Sequence, residues 1–212
     1  MQRREFMSAV GVAVGAVVVG AKAGVQPAES PAPSKPRRTL RKAVGIGMVQ
    51  VEAGVPLVDR FKILKECGFD GVEMDCPSKF TADDILAAQD ATGIKAHGLV
   101  DSKHWSMCLN APDEKVQAQG IEALETCLRD GKRCGSTSVL LVPGVVNKSL
   151  PYDECWRLSQ ANIQKVLPLA RECGVKIAIE NVWNGFLLSP MEASRYVDEF
   201  NDPIVGWHFD IG

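Results

Sequence analysis

The sequence lacks the features that mark several large classes of protein. Only 3 histidines and 6% aromatic residues occur among 212 residues, and the formal net charge is -2. A charge so close to zero provides no positive field to gather phosphate backbones, so we expect no nucleic-acid partner. No Gly-x-Gly-x-x-Gly follows the first predicted strand, which argues against a dinucleotide-binding loop. With 46% hydrophobic and 24% charged residues, the composition is that of an ordinary globular protein.

The cysteines form no recognisable zinc or redox motif. No two of them are separated by two residues, and none lies in a short-spaced cluster with histidine. Cysteine is among the most frequently buried residue types, so we expect buried thiols, with disulfides or metal ligands as the open alternative. The seven cysteines are Cys67, Cys76, Cys108, Cys127, Cys134, Cys155 and Cys173.

The N-terminus has the pattern of an export signal. Residues 1–23 begin with Arg3 and Arg4, continue with an apolar run and end in Ala-Lys-Ala, a typical cleavage site. The apolar run, residues 9–20, is shorter than the roughly 20 residues that cross a membrane, so we expect no stable membrane anchor. The paired arginines followed by Glu-Phe-Met resemble a twin-arginine motif, and a general secretory signal stays open. We predict export to the periplasm or another extracytoplasmic compartment.

The rest of the chain divides into a linker and one folded region. Proline, serine and alanine dominate residues 24–41, which predicts a linker. In residues 42–212, short β-branched runs alternate with longer amphipathic segments, as in parallel strands joined by crossover helices. The predicted strands are residues 43–49, 71–74, 95–99, 138–142, 176–180 and 205–209.

Two architectures use this alternation, the closed eight-stranded barrel and the open doubly wound sheet. The missing dinucleotide loop favours the barrel, although a barrel needs eight strands and typically about 250 residues. We therefore predict an α/β fold, a (β/α)8 TIM barrel with about six of its eight strands present. On this expectation the 212-residue chain is a C-terminally truncated barrel without activity of its own.

Two carboxylates follow buried strands in the same relative place. Glu180 ends the apolar run of residues 176–180, and Asp210 follows the next strand. Catalytic groups of barrels lie at the C-terminal ends of strands, and adjacent strands are about 4.8 Å apart, so these two acids can share one cation. For either acid alone, a helix cap or a solvated loop charge is an equally good interpretation.

Around these acids the sequence resembles the sugar phosphate isomerase/epimerase family, which has a xylose isomerase-like barrel. The resemblance runs from about residue 44 to the end and is most specific in residues 178–184, 186–192 and 207–212. It implies that Glu180 and Asp210 bind one divalent ion together with a histidine and a glutamate from the seventh and eighth strands. It also implies that Glu180 is one of two acid/base groups, the second of which has no counterpart in this sequence.

Four further residues are candidates for contacting a substrate. His104 and Trp105 follow the third predicted strand, and the resemblance implies that this pair faces the sugar. An imidazole can bond a hydroxyl and an indole can cover an apolar face, but a purely structural loop stays open. Strand periodicity places His208 on the same side as Asp210, either in the site or packed in the barrel. Glu73, near the end of the second strand, can enter the barrel mouth.

The resulting hypothesis is a divalent-metal-dependent isomerase or epimerase that acts on a ketose or related sugar through an enediolate. Three oxygen ligands and one nitrogen suit Mn, Mg or Co, with Zn possible. The expected partner is a small sugar, and homo-oligomer formation is left open. The alternatives are a non-catalytic carbohydrate-binding barrel and an endonuclease IV-like metal phosphodiesterase, for which three histidines are few.

Overall fold

Six parallel strands form one sheet, in which their spatial order is the same as their order in the chain. The computed structural model describes residues 40–211. The strands are β1 (Ala43–Gly45), β2 (Gly71–Cys76), β3 (Lys95–Asp101), β4 (Ser138–Leu141), β5 (Lys176–Glu180) and β6 (Val205–His208). The connecting helices are α1 (Leu57–Glu66), α2 (Ala82–Thr92), α3 (Glu114–Cys134), α4 (Tyr152–Cys173) and α5 (Pro190–Asp198). This repeated strand-helix unit confirms the predicted TIM-barrel-like α/β class.

The predicted signal peptide, residues 1–23, lies outside the described residues, as does the predicted linker as far as residue 39. In the part that the structure describes, no helix combines the length and the apolar character needed to span a bilayer.

Each strand has one face against the helices and one face toward the barrel axis. On the helix side, Val139 and Leu141 of β4 and Ile177 and Ile179 of β5 are fully buried. Burial of such a side chain contributes about 1.5–3 kcal/mol, so this layer holds the sheet and the helices together. The alternate residues of β5 and β6, among them Glu180, face the other way. The apolar layer therefore fixes which residues reach the axis.

The helix ends follow local sequence signals. The Thr81 hydroxyl accepts from the Asp84 amide at 3.2 Å while the Asp84 carboxylate accepts from the Thr81 amide at 2.8 Å, a complete capping box before α2. Ser189 caps α5, with Pro190 at the first helical position. Gly174 has a φ of 68° after α4, a left-handed conformation that favours glycine. Each of these three helix ends is thus set by residues directly beside it in the chain.

Five of the six predicted strand ends differ from the structure, and the fourth and sixth strands do so by one residue only. The first strand stops at Gly45 because Ile46–Met48 turns into a 3-10 helix, closed by the Val49 amide on the Ile46 carbonyl at 3.2 Å. The second and third strands instead run further than predicted, since Asp75 pairs with Val100 and Cys76 with Asp101. Backbone pairing between these two neighbouring strands therefore continues beyond their apolar residues, through Asp75 and Asp101.

The prediction of buried thiols is confirmed for four of the seven cysteines. All seven are free thiols, and Cys76, Cys127, Cys134 and Cys155 are buried, whereas Cys108 and Cys173 are partly buried and Cys67 is exposed.

Helix α3 packs closely on the loop that follows β3. A Cβ added at Gly120 would collide with the Met107 carbonyl oxygen, whereas one added at Gly131 would lie 3.3 Å from a Val175 methyl group. We predict that Gly120→Ala lowers the free energy of unfolding by about 1–3 kcal/mol, although alanine is the better helix former by about 1 kcal/mol.

The matched control is Gly131→Ala in the same helix, which should change stability by less than about 1 kcal/mol because a methyl neighbour can yield slightly. Urea unfolding of both variants measures the difference. Equal stability of Gly120→Ala and the unchanged protein would contradict the close packing.

Candidate functional site

A cavity of about 350 Å³ lies at the C-terminal ends of the strands. Its lining combines carboxylates with apolar and ring side chains: Gly45, Gly47, Met48, Glu73, Asp75, Val100, His104, Trp105, Leu140, Glu180 and Val182. Four of the six predicted site residues, Glu73, His104, Trp105 and Glu180, therefore share one cavity. The remaining two do not line it: His208 is the last residue of β6, the strand next to the one that ends in Glu180, and Asp210 lies two residues beyond it.

A larger groove of about 450 Å³ lies between α5 and the end of β6, lined mainly by apolar residues such as Leu187, Val197 and Trp207. It holds none of the predicted catalytic or substrate-binding residues. The groove is larger than the cavity, but the predicted site residues line the cavity.

Glu180 ends β5, where its α-carbon is in register with that of His208 on β6. The side chain is half-buried, and burial is the main cause that raises the pKa of its carboxyl above the usual range. The nearby charge of His208 lowers that pKa, while Asp210 and Glu73 raise it. His208, Asp210 and Glu73 are therefore near enough to Glu180, at this end of the sheet, for their charges to act on it.

The backbone of Asp210 is held by the side chain of Asn181. The Asn181 Nδ2 donates to the Asp210 carbonyl oxygen at 2.9 Å, and the Asp210 amide donates to the Asn181 Oδ1 at 3.0 Å. This places Asp210 directly beyond the last paired residues of β5 and β6. Asn181 was part of the motif recognised in the sequence, but no role was assigned to it because nothing in the sequence shows where its amide points.

His104 is 6% exposed, and its Nδ1 accepts from the Val142 amide at 3.2 Å. The structural role left open for this loop is therefore present. Burial lowers the pKa of His104 to about 4, so the ring is neutral at physiological pH. Since Nδ1 is an acceptor, the ring proton is on Nε2.

Trp105 contacts His104 edge-on, with ring centroids 5.5 Å apart and planes at 85°, and half of it is exposed. The indole is thus partly free to meet a ligand at the cavity mouth. Glu73 has room because its neighbour on β3 is glycine: a Cβ on Gly98 would lie 3.6 Å from the Glu73 Oε1.

The loop that carries His104 is braced by residues that sequence reasoning missed. Asp101 accepts from the Lys103 amide at 2.9 Å, and burial raises the pKa of its carboxyl to about 6. Further along the loop, Asn110 donates to the Val145 carbonyl at 2.9 Å and accepts from the Val145 amide at 3.2 Å. Asp101 is an acid at the end of β3, directly before the loop, and this position is the one signal in the sequence that could have identified it.

The loop after Glu180 is held by an aromatic cluster, which we define as Tyr152, Trp156, Phe186, Tyr196 and Phe200. Ring centroids of neighbouring members lie 4.9–6.2 Å apart. The buried Tyr196 hydroxyl is satisfied by the Ser159 hydroxyl at 2.8 Å. Because Phe186 lies on the loop while the other members lie on or beside α4 and α5, the cluster fixes how the chain leaves β5.

The fit to a divalent ion is partial. Glu180 and Asp210 offer the oxygen donors that hard cations prefer. The two carboxylates repel each other, and a bound cation would relieve this repulsion. Within residues 40–211, no group of three or more His, Cys, Asp or Glu side chains is arranged to hold a metal ion. Two of the described residues thus suit a metal, and a full ligand set needs donors from elsewhere.

Comparison with known proteins identifies a relative by sequence. The L-ribulose-5-phosphate 3-epimerase UlaE of Escherichia coli O1:K1 / APEC is 24% identical over 189 residues, covering 82% of this chain and 66% of that protein. The chain therefore spans about two thirds of the length of this curated relative.

Solved structures share the fold. An L-ribulose 3-epimerase superposes with a TM-score of 0.68 at 16% identity, covering 81% of this chain and 61% of that one. The IolI protein, whose structure holds a zinc atom, superposes with a TM-score of 0.61 at 20% identity. The match covers 79% of this chain and 62% of the IolI chain. The model of the xylose isomerase-like TIM barrel family matches residues 61–212. This chain belongs to the xylose isomerase-like TIM barrel family.

Proposed function

We propose that this chain is the larger part of a divalent-metal-dependent sugar isomerase or epimerase. The observation that carries the proposal is the placement of two acids at the ends of adjacent parallel strands, beside a cavity with a half-exposed indole: Glu180 ends β5, and Asp210, whose charge acts on Glu180, lies two residues beyond the end of β6. Relatives named as 3-epimerases of L-ribulose or its 5-phosphate support the reaction class.

In the proposed reaction, Glu180 and Asp210 would hold the ion, with Mn, Mg or Co as the best match to oxygen donors and Zn possible. When bound, the ion would supply Lewis-acid chemistry, which makes the C–H beside the sugar's carbonyl more acidic. Glu180 removes that proton, giving an enediolate, and a second acid returns a proton to the opposite face. The partly buried Glu180 suits this role because its raised pKa makes it a stronger base than an exposed glutamate.

The cavity favours an uncharged sugar. Glu73, Asp75 and Glu180 line it, and none of its lining residues is lysine or arginine. Carboxylates accept hydrogen bonds from sugar hydroxyls but repel a phosphate, which carries about two negative charges at pH 7. We therefore propose an unphosphorylated ketose, and the same negative charge argues against a phosphodiester substrate.

His104 and Trp105 complete the proposed sugar site. The neutral imidazole presents an Nε2–H donor, because its other nitrogen is occupied by the Val142 amide. The indole offers an apolar face to the C–H side of the ring. His208 lies beside Glu180 in register and is proposed as a further polar contact.

For the N-terminus we propose export, on the sequence of residues 1–23 alone. Export through the twin-arginine pathway would suit a metalloenzyme, because that pathway carries proteins that are already folded.

The metal and proton-transfer roles are tested by Glu180→Gln and Asp210→Asn in the full-length protein. We expect Glu180→Gln to lower kcat by at least about 10²-fold, since it removes both a ligand and an acid/base group. Asp210→Asn should chiefly deplete bound metal. Metal analysis and epimerisation of a panel of ketoses and their phosphates measure both effects.

The control is Glu66→Gln, because Glu66 is an exposed acid at the end of α1. This variant should change neither kcat nor the metal content. Full turnover in Glu180→Gln would contradict the proposed base. An unchanged protein that binds ketoses without converting them would instead favour the carbohydrate-binding barrel.

The substrate contact is tested at Trp105, since its side chain is half-exposed and its truncation spares the core. Trp105→Ala should raise KM for the preferred ketose about tenfold with metal content unchanged, as expected for the loss of roughly 1.4 kcal/mol of ring contact. The matched control is Trp183→Ala, because Trp183 is 95% exposed and does not line the cavity. Equal KM values for the two variants would place the sugar elsewhere.

The state of His104 is tested by pH. Its pKa is lowered from 6.5 to about 4, so between these values the unfolded chain binds a proton that the folded chain does not. Acidification from pH 6.5 to 4 should therefore cost stability, by at most about 3 kcal/mol, while the fully neutral ring at higher pH costs none. His104→Asn should remove this part of the loss.

Asp101 acts in the opposite direction over a similar range, because its pKa is raised to about 6. Only the difference between the unchanged protein and His104→Asn isolates the histidine. Nitrogen-15 NMR should show a neutral ring protonated on Nε2 down to about pH 5. A titration near pH 6.5, or a proton on Nδ1, would refute the assignment.

A further inference from the structure

The side-chain amide of Asn181 continues the pairing of β5 with β6 after the main chain has stopped pairing. The last registered residues are Glu180 and His208, and neither Asn181 nor Asp210 belongs to a strand. In place of a backbone ladder, the Asn181 amide donates to the carbonyl and accepts from the amide of one residue, Asp210, at 2.9 and 3.0 Å. Both backbone groups of Asp210 are thereby satisfied by one side chain.

The same two-bond arrangement occurs once more in the neighbourhood, where Asn110 holds both backbone groups of Val145 at 2.9 and 3.2 Å. Asn110 is 1% exposed and also contacts the Cys155 thiol, so it braces the packed interior between the loops after β3 and β4. Val145 carries no group that could bind a ligand. The pair of hydrogen bonds between Asn110 and Val145 therefore serves as an example of the same arrangement in a purely structural role.

The pair formed by Asn181 differs in what it holds. Asp210 bears a carboxylate whose charge acts on Glu180, and Asn181 is the residue directly after Glu180. One rigid amide thus ties the backbone beside the first acid to the backbone that carries the second. Ligands of a metal need placement within about 0.5 Å, which an unpaired chain after a strand would not provide.

We propose that Asn181 is a positioning residue that sets the Asp210 carboxylate against Glu180 for a shared divalent cation. The inference rests on the proposed function, because it assumes that these two acids bind the ion. Asn181 itself need not touch the ion or the sugar. Its contribution is the placement of Asp210, as for residues that orient metal ligands in other proteins.

The experiment compares Asn181→Ala, Asp210→Asn and Asn110→Ala in the full-length protein. Calorimetric titration with Mn²⁺ gives the affinity of each, and thermal unfolding without metal gives each Tm. We expect Asn181→Ala to weaken Mn²⁺ binding about 10- to 100-fold with little change in Tm. Asn110→Ala should do the reverse, with a clear fall in Tm and Mn²⁺ affinity within about twofold, because its bonds are more buried and lie outside the site.

A second measurement on the metal-free protein follows hydrogen exchange of the Asp210 amide. We expect exchange to quicken at least about tenfold in Asn181→Ala, since the acceptor of that N–H is removed, and to stay unchanged in Asn110→Ala. The exchange measurement remains informative even if the Asn110 variant folds poorly, because Asn181→Ala can then be compared with the unchanged protein alone.

The outcomes separate the inference from the proposal beneath it. If Asp210→Asn loses Mn²⁺ while Asn181→Ala binds it as the unchanged protein does, the positioning role is overturned and the metal site stands. If Asp210→Asn binds Mn²⁺ normally, or the unchanged protein binds none, the proposed function fails and the inference fails with it. An unchanged exchange rate at Asp210 in Asn181→Ala overturns the inference whatever the metal does.

Discussion

The parallel register of β5 with β6 is the constraint on which the candidate site depends. It sets Glu180 opposite His208, so the residues that follow both strands emerge at one edge of the sheet. A slip of one residue would turn Glu180 into the helix layer and bring Ile179 to the axis. The buried Ile177 and Ile179 forbid that slip, because each would lose the apolar contacts that bury it completely. The chemistry at the strand ends is thus fixed by packing on the opposite face.

The second requirement is that loops at the cavity hold their shape without regular pairing. Buried polar groups do this: Asp101, His104 and Asn110 each bond a backbone amide. In the described part of the chain no buried side-chain nitrogen or oxygen lacks a partner. Such networks stabilise one loop conformation strongly when every member is satisfied. Burial also makes the stability of these loops depend on pH, because it lowers the pKa of His104 and raises that of Asp101.

Sequence reasoning predicted the repeated unit and the positions of Glu180 and Asp210, because alternating burial and strand ends are local patterns. It could not predict that His104 bonds Val142 or that Asn181 holds Asp210, since these partners lie 38 and 29 residues apart and meet only through the sheet. The end of the first strand was wrong for a related reason. The apolar Ile46 and Met48 extend the strand pattern, but the turn is set by a backbone bond that composition does not reveal.

The central claim is that Glu180 and Asp210 share one divalent cation. Anomalous diffraction from crystals of the full-length protein grown with Mn²⁺ tests it most directly. The account predicts a single peak at the strand ends, about 2.2 Å from a carboxylate oxygen of each residue, with the remaining ligands supplied from outside residues 40–211. A peak that contacts only one of the two carboxylates, or a metal bound away from both, would contradict it.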